Sequence, residues 1–133
     1  MILSPKSLEK LRLLINEETE YRSGPQLVSF FNHLGFRDSY GQGFPSRWMF
    51  TDEKLSKLNG TPELDACIRS ALNPANFIGR VEELDGHITE LNKYLTFDKW
   101  KVVTLRFVHA AQLKRYGKEQ FVLYNKGKLL WAD

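Results

Sequence analysis

Four apolar stripes, each repeating at threes and fours and three of them cut off by proline or glycine, dictate most of what this chain can become. The longest runs through Ile78, Val81, Leu84, Ile88, Leu91 and Leu95, which predicts one long helix of about five turns. Glu82, Glu83, Asp85, Glu90 and Lys93 fall off that seam. Gly86 sits inside it at a cost of about 1 kcal/mol against alanine, so it is read as a point of close packing. Upstream, Ser4 and Pro5 make a helix entrance, a hydroxyl cap followed by a proline whose missing N–H costs nothing in the first turn. Leu8, Leu11, Leu14 and Ile15 follow at helical spacing, carrying that helix to about Glu18. Pro25 opens the next helix, apolar over more than half its circumference at Leu27, Val28, Phe30, Phe31 and Leu34 and ended by Gly35. Thr51, with Asp52 and Glu53 after it, is expected to cap a short helix closed by Asn59-Gly60. Thr61-Pro62-Glu63 repeats the entrance chemistry ahead of Leu64, Cys67, Ile68, Ala71 and Leu72, and "NPAN" at 73–76 breaks that stripe.

The pattern changes after Asp98. "WKVVTLRFV" and "QFVLYNKGKLLW" are rich in β-branched and aromatic residues, and Asn125-Lys126-Gly127 reads as a three-residue hairpin turn. "HAAQLKRYGK" between them is expected to form a short helix ended by Gly117. The expected fold is therefore α+β: a bundle of about four to five helices followed by a small antiparallel hairpin or sheet. At 133 residues this is one domain, with a helical part at 1–97 and a basic, β-rich part at 98–133.

The single cysteine, Cys67, rules out an internal disulfide and a cysteine-based zinc site, as expected of a protein of a reducing cytoplasm. His33, His87 and His109 lack the close spacings of metal-binding helices, so neither metal nor cofactor is expected. No run approaches the ~20 apolar residues of a membrane span, and the charged N-terminus reads as neither signal nor anchor.

Catalytic motifs are also missing, so the chain is not expected to be an enzyme. "GFRDSYGQG" lacks the Lys-Ser/Thr ending of a phosphate loop, and "SYGQGF" holds no nucleophile elbow. Gly41-x-Gly43 follows a helix and is succeeded by proline, against a nucleotide fingerprint. The carboxylates Glu17, Glu18 and Glu20, and Glu82, Glu83 and Asp85, read as solvated helix faces.

Binding has better candidates. In "GFRDSYGQGFPSRW", residues 35–48, aromatic rings alternate with arginines and glycines. Arg37, Tyr40, Gln42, Arg47 and Trp48 are the expected contacts with a partner protein, because planar guanidinium and aromatic faces on loops suit recognition. The competing reading folds Phe44 and Trp48 inward over the second helix, pairs Arg37 or Arg47 with Asp38 or a helix end, and leaves the glycines only their backbone angles. A second candidate is the basic end. Residues 1–97 carry 11 Lys/Arg against 13 Asp/Glu, and residues 98–133 carry 8 against 3. Lys99, Lys101, Arg106, Lys114, Arg115, Lys118, Lys126 and Lys128 are expected to meet nucleic acid, if any is bound, through phosphate or shape rather than base edges. The closing "KLLWAD" either packs at home or offers an edge strand.

With "YRSGPQLVSFFNHLGFRDSYGQGFPSRW", "LNGTPELDACI", "NFIGRVEELDGHI" and "KYLTFDKWKVV" in view, residues 8–104 resemble the small N-terminal domains of AbiJ-like bacterial abortive-infection proteins. The resemblance implies an accessory or sensing role in defence against phage, and it brings no catalytic residues. Such domains normally precede an effector, whereas this chain ends at Asp133, and residues 105–133 lie outside the resemblance; a free-standing version, an excised domain or a protein with a separately encoded partner would each fit, which puts effector activity in this chain in doubt.

Overall fold

The computed structural model describes residues 1–103 and the backbone of residues 130–131. Five α-helices lie among them: α1 Pro5–Leu13, α2 Gly24–Asn32, α3 Arg47–Leu58, α4 Glu63–Ala71 and α5 Val81–Leu95. Short 3-10 turns at Pro74–Phe77 and Thr96–Asp98 flank α5. α1 lies against α3 and α5, so its stripe is covered on two sides. Leu11, Leu14 and Ile15 meet Leu27 and Phe31 of α2, Leu55 and Leu58 of α3, Leu64 and Ile68 of α4, and Leu84, Leu91 and Leu95 of α5 in one continuous core. The apolar spacing thus dictates both helices and core, at roughly 1.5–3 kcal/mol of transfer free energy per fully buried aliphatic side chain.

Helix entrances follow local chemistry at α1 and α2. Ser4 accepts from the Ser7 amide. At α2, Ser23 accepts from the Gln26 amide while the Gln26 side chain accepts from the Ser23 amide, a reciprocal capping box. Beyond Leu13 the first helix widens to a π-helical turn at Leu14–Glu18, closed by the Thr19 amide donating to the Leu14 carbonyl at 3.1 Å. That widening frees the carbonyls of Ile15 and Asn16, and arginine side chains fill them, as described below.

Several expectations are corrected. α3 begins at Arg47, not at Thr51; Thr51 is fully buried inside it and donates to Asn16 Oδ1 at 2.7 Å. Tertiary contacts made by Arg47 and Phe50 carry the helix a turn further back than the capping pattern suggests. Ile78 is off the α5 seam at 85% exposure, because the chain turns before Val81 and Phe77 takes the buried place instead. Gly86 is exposed, and a Cβ there would meet nothing within 4 Å, so it marks no close approach. Thr61 caps nothing; its hydroxyl donates to the Leu58 carbonyl.

The β character after Asp98 amounts, among the described residues, to a two-residue antiparallel ladder of β1 Trp100–Lys101 with β2 Leu130–Trp131, Trp100 opposite Trp131. That ladder is too short to form a sheet layer, and the described architecture is a helical bundle. The expected hairpin turn at 125–127 and the helix expected at 109–117 lie outside the described residues.

Candidate functional site

The segment between α2 and α3 is irregular in path but fixed along most of its length. Gly35 leaves α2 at φ +103°, a backbone angle that disfavours any side chain. Asn32, the last residue of α2, then grips Asp38 from both sides: its Nδ2 donates to the Asp38 carbonyl and its Oδ1 accepts from the Asp38 amide, each at 3.0 Å. The Asp38 carboxylate in turn holds the Nζ of Lys54 at 2.8 Å. Lys54 is only 4% exposed, and its ammonium lies 4.8 Å from the ring centre of Phe36 and 4.9 Å from that of Phe50. The Asp38 carboxylate and the two aromatic faces take the place of water around this buried side chain.

Further along, Tyr40 lies on the bare backbone of Gly24, where a Cβ would overlap its ring. Tyr40, Phe44 and Phe50 follow one another at 4.7 and 4.8 Å, and Phe50 meets Phe31 of the core at 6.0 Å. This aromatic run anchors the segment to the core through Phe50, the ring that also faces the Lys54 ammonium. Between the anchors the Phe44 amide donates to the Gly41 carbonyl at 3.1 Å. Gly43 at φ +84° makes this a type II turn with Gln42 at its outer corner.

Arg47 and Trp48 belong to the first turn of α3. Arg47 is turned inward: Nε donates to the Arg22 carbonyl at 2.8 Å, Nη2 to the Asn16 carbonyl at 2.7 Å, and Nη1 to Glu17 at 2.7 Å. Its guanidinium also stacks 4.1 Å from the ring centre of Tyr21. Arg22, 6% exposed, donates to the Ile15 carbonyl at 2.7 Å and to Glu20. Burial lowers its pKa, against the Glu20 carboxylate, which raises it. The two arginines together satisfy the carbonyls that the π-helical turn exposes, where a helix C-terminus favours cations.

Of the five residues expected to contact a partner, the structure therefore presents four outward. Arg37 and Gln42 are exposed, Tyr40 is 55% exposed and Trp48 54% exposed. Arg37 forms no ion pair among the described residues; Asp38 pairs with Lys54 and with neither arginine. Arg47 is committed to internal bonds and acts by fixing the start of α3. Phe44 is half-buried against the core, as the inward reading has it. Residues that sequence reasoning missed complete the surface. Met49 is half-exposed beside Trp48, Tyr21 is 61% exposed under Arg47, and Arg12 lies 5.8 Å from the Trp48 ring centre while pairing with Asp52 at 3.1 Å. A signal for Lys54 was present, since it occupies a buried position of the stripe Phe50, Leu55, Leu58.

The basic candidates are only partly visible. Lys99 and Lys101 are exposed at the end of α5 and in β1; Arg106, Lys114, Arg115, Lys118, Lys126 and Lys128 lie outside the described residues. Among the described residues no group of histidine, cysteine, aspartate or glutamate is arranged to hold a metal ion. No helix among them is long and apolar enough to cross a membrane. Cys67 is fully buried, and desolvation pushes its thiol up to about 12, which makes it a poor nucleophile. No family model, curated protein or solved structure matches the chain.

Proposed function

We propose that this protein is a non-catalytic recognition module that binds a partner protein, or a phage-derived signal, through the surface formed by the 36–44 segment and the first turn of α3. The observation that carries this reading is the pairing of exposure with rigidity. Tyr40, Trp48, Arg37 and Gln42 stand out from a segment whose intervening residues are fixed by Asn32, Lys54 and the aromatic run. Tyrosine, tryptophan, methionine and arginine are the residues that dominate binding energy at protein interfaces, and a pre-ordered segment avoids most of the ordering cost on association. Nearly every cation on this face is already neutralised by a carboxylate, as at Arg12–Asp52, Arg47–Glu17 and Lys54–Asp38. A polyanion therefore gains little here, and the surface suits a protein.

The defence context rests on the resemblance of residues 8–104 to AbiJ-like N-terminal domains, and the cytoplasmic location on the lone reduced cysteine. The test is phage plating on bacteria carrying this chain with its neighbouring genes. Protection should be lost for the Tyr40→Ala/Trp48→Ala double variant while its circular dichroism and thermal midpoint stay near those of the parent. Full protection by a folded double variant would refute the assignment.

A further inference from the structure

Lysines and arginines among the described residues fall into two sets. Nine lysines and arginines are held in ion pairs; Lys6, Arg37, Lys99 and Lys101 form none among the described residues. Three of those four gather at one end of the bundle. There Asp98 accepts from the Ser4 amide at 3.0 Å, the Ser4 hydroxyl at 3.1 Å and the Ser7 hydroxyl at 2.6 Å. Lys6 precedes Ser7 and Lys99 follows Asp98, so these bonds bring the backbone stretches that carry the two exposed lysines to the same end of the bundle, with Lys101 two residues on in β1. All three bonds fall on Asp98 Oδ2, and among the described residues neither this carboxylate nor Glu9, one turn along α1, forms an ion pair with these lysines. Next to them Phe97 is 89% exposed, the most exposed large apolar side chain described. Lys99 adopts φ +70°, the only non-glycine residue among those described in the left-handed region. It is the left-handed cap that ends the Thr96–Asp98 turn, its amide donating to the Thr96 carbonyl at 3.1 Å.

We propose that this end of the bundle is a binding surface for single-stranded nucleic acid, with a base stacked on Phe97 and Lys6, Lys99 and Lys101 meeting the phosphates. An exposed aromatic ring and cations that form no ion pair among the described residues are the two components of sequence-tolerant single-strand recognition. A duplex has its bases already stacked and gives Phe97 nothing to receive. Protein interfaces are depleted in lysine at their cores, so this set of side chains fits a protein partner poorly. The surface lies apart from the Tyr40–Trp48 segment and stands or falls independently of it.

The test is fluorescence anisotropy of a labelled oligo-dT strand titrated with the full chain over a series of salt concentrations. Three lysine–phosphate contacts correspond to a slope of log K against log salt of about −2, and Lys6→Gln should reduce its magnitude by about 0.7. Phe97→Ala should weaken binding about 5- to 160-fold. Lys99→Gly should weaken binding while raising the thermal midpoint, because glycine tolerates the left-handed angle; this separates the lost charge from any loss of fold. Tyr40→Ala/Trp48→Ala should leave the affinity unchanged. Absence of binding at low salt overturns the proposal. So does binding that survives Phe97→Ala and Lys6→Gln together, and so does equal competition by polyglutamate, which offers charge without a base to stack.

Discussion

Breaking the Asp38–Lys54 pair from its two ends should give very different results. Asp38→Ala leaves a 4% exposed ammonium without its 2.8 Å carboxylate. Removing one partner of a fully buried pair costs about 3–5 kcal/mol. Here Asp38 is 32% exposed, Glu53 sits 3.6 Å from the same ammonium, and the rings of Phe36 and Phe50 still face it. Those residual partners and solvent screening bring the expected cost down to about 2 kcal/mol. Lys54→Met instead removes the desolvated charge and keeps the stem against the rings. The carboxylate it strands is one-third exposed and hydrates, so the cost should stay below about 1 kcal/mol. For a chain of this size these become thermal midpoint losses of about 6–10 °C and less than about 4 °C. Guanidinium denaturation of both variants and the double variant decides the matter, with the double variant closer to Lys54→Met than to Asp38→Ala. A Lys54→Met variant as unstable as Asp38→Ala would refute the argument, since it would show the ammonium contributing more than it costs to bury.

Gly24→Ala drives a Cβ into the Tyr40 ring and should destabilise by about 1–3 kcal/mol through overpacking, whereas Gly86→Ala fills open space in a helix interior and should stabilise by up to about 1 kcal/mol. Both are read from chemical denaturation midpoints, and a destabilised Gly86→Ala would restore the close packing expected there. The raised pKa of Cys67 has a stability consequence of definite sign. The thiol is protonated in both states below its unfolded value of 9.0 and ionises only in the unfolded chain from there to about 12. Stability should therefore fall by about 1.4 kcal/mol per pH unit across that window, a component absent from Cys67→Ala when the two are compared at pH 8 and pH 10. The same burial predicts that native Cys67 resists a thiol reagent at pH 8 and reacts once denatured.

The parts of the fold legible in the sequence are those governed by neighbours along the chain. Ser4-Pro5 announces α1 because cap and capped amide lie within three residues of each other, and Pro25 in the first turn announces α2. The stripe Leu64, Cys67, Ile68, Ala71 is buried throughout because its spacing matches the helical repeat. The start of α3 was not legible, since it depends on Arg47 reaching carbonyls 25 and 31 residues back, at Arg22 and Asn16. The position of Lys54 on the buried stripe of α3 was legible, but its partner Asp38 was not, because the preceding segment brings it over. The oddity of 35–48 was plain from composition, yet which rings face outward was not. Phe44 and Tyr40 differ in exposure because one meets Phe50 and the other a glycine backbone.

One device recurs at three places and explains how so little strand suffices. Asn32, Asn59 and Asn92 each use a side-chain amide to bond both backbone groups of one extended residue, Asp38, Leu3 and Val102 respectively. The amide offers a donor and an acceptor side by side, as an adjacent strand would, so a helix can hold an extended segment without a sheet. Each net hydrogen bond contributes about 0.5–1.5 kcal/mol, so a clamp contributes about 1–3 kcal/mol. At Asn32 the gripped backbone is part-exposed, and water can take over both bonds when the amide is lost. Asn32→Ala should therefore cost little global stability while loosening the one segment that presents Arg37, Tyr40 and Gln42. Hydrogen exchange at the Asp38 amide should accelerate, with core amides of α1 unchanged. Unaltered protection at Asp38 would mean that Lys54 and the aromatic run suffice to order the segment.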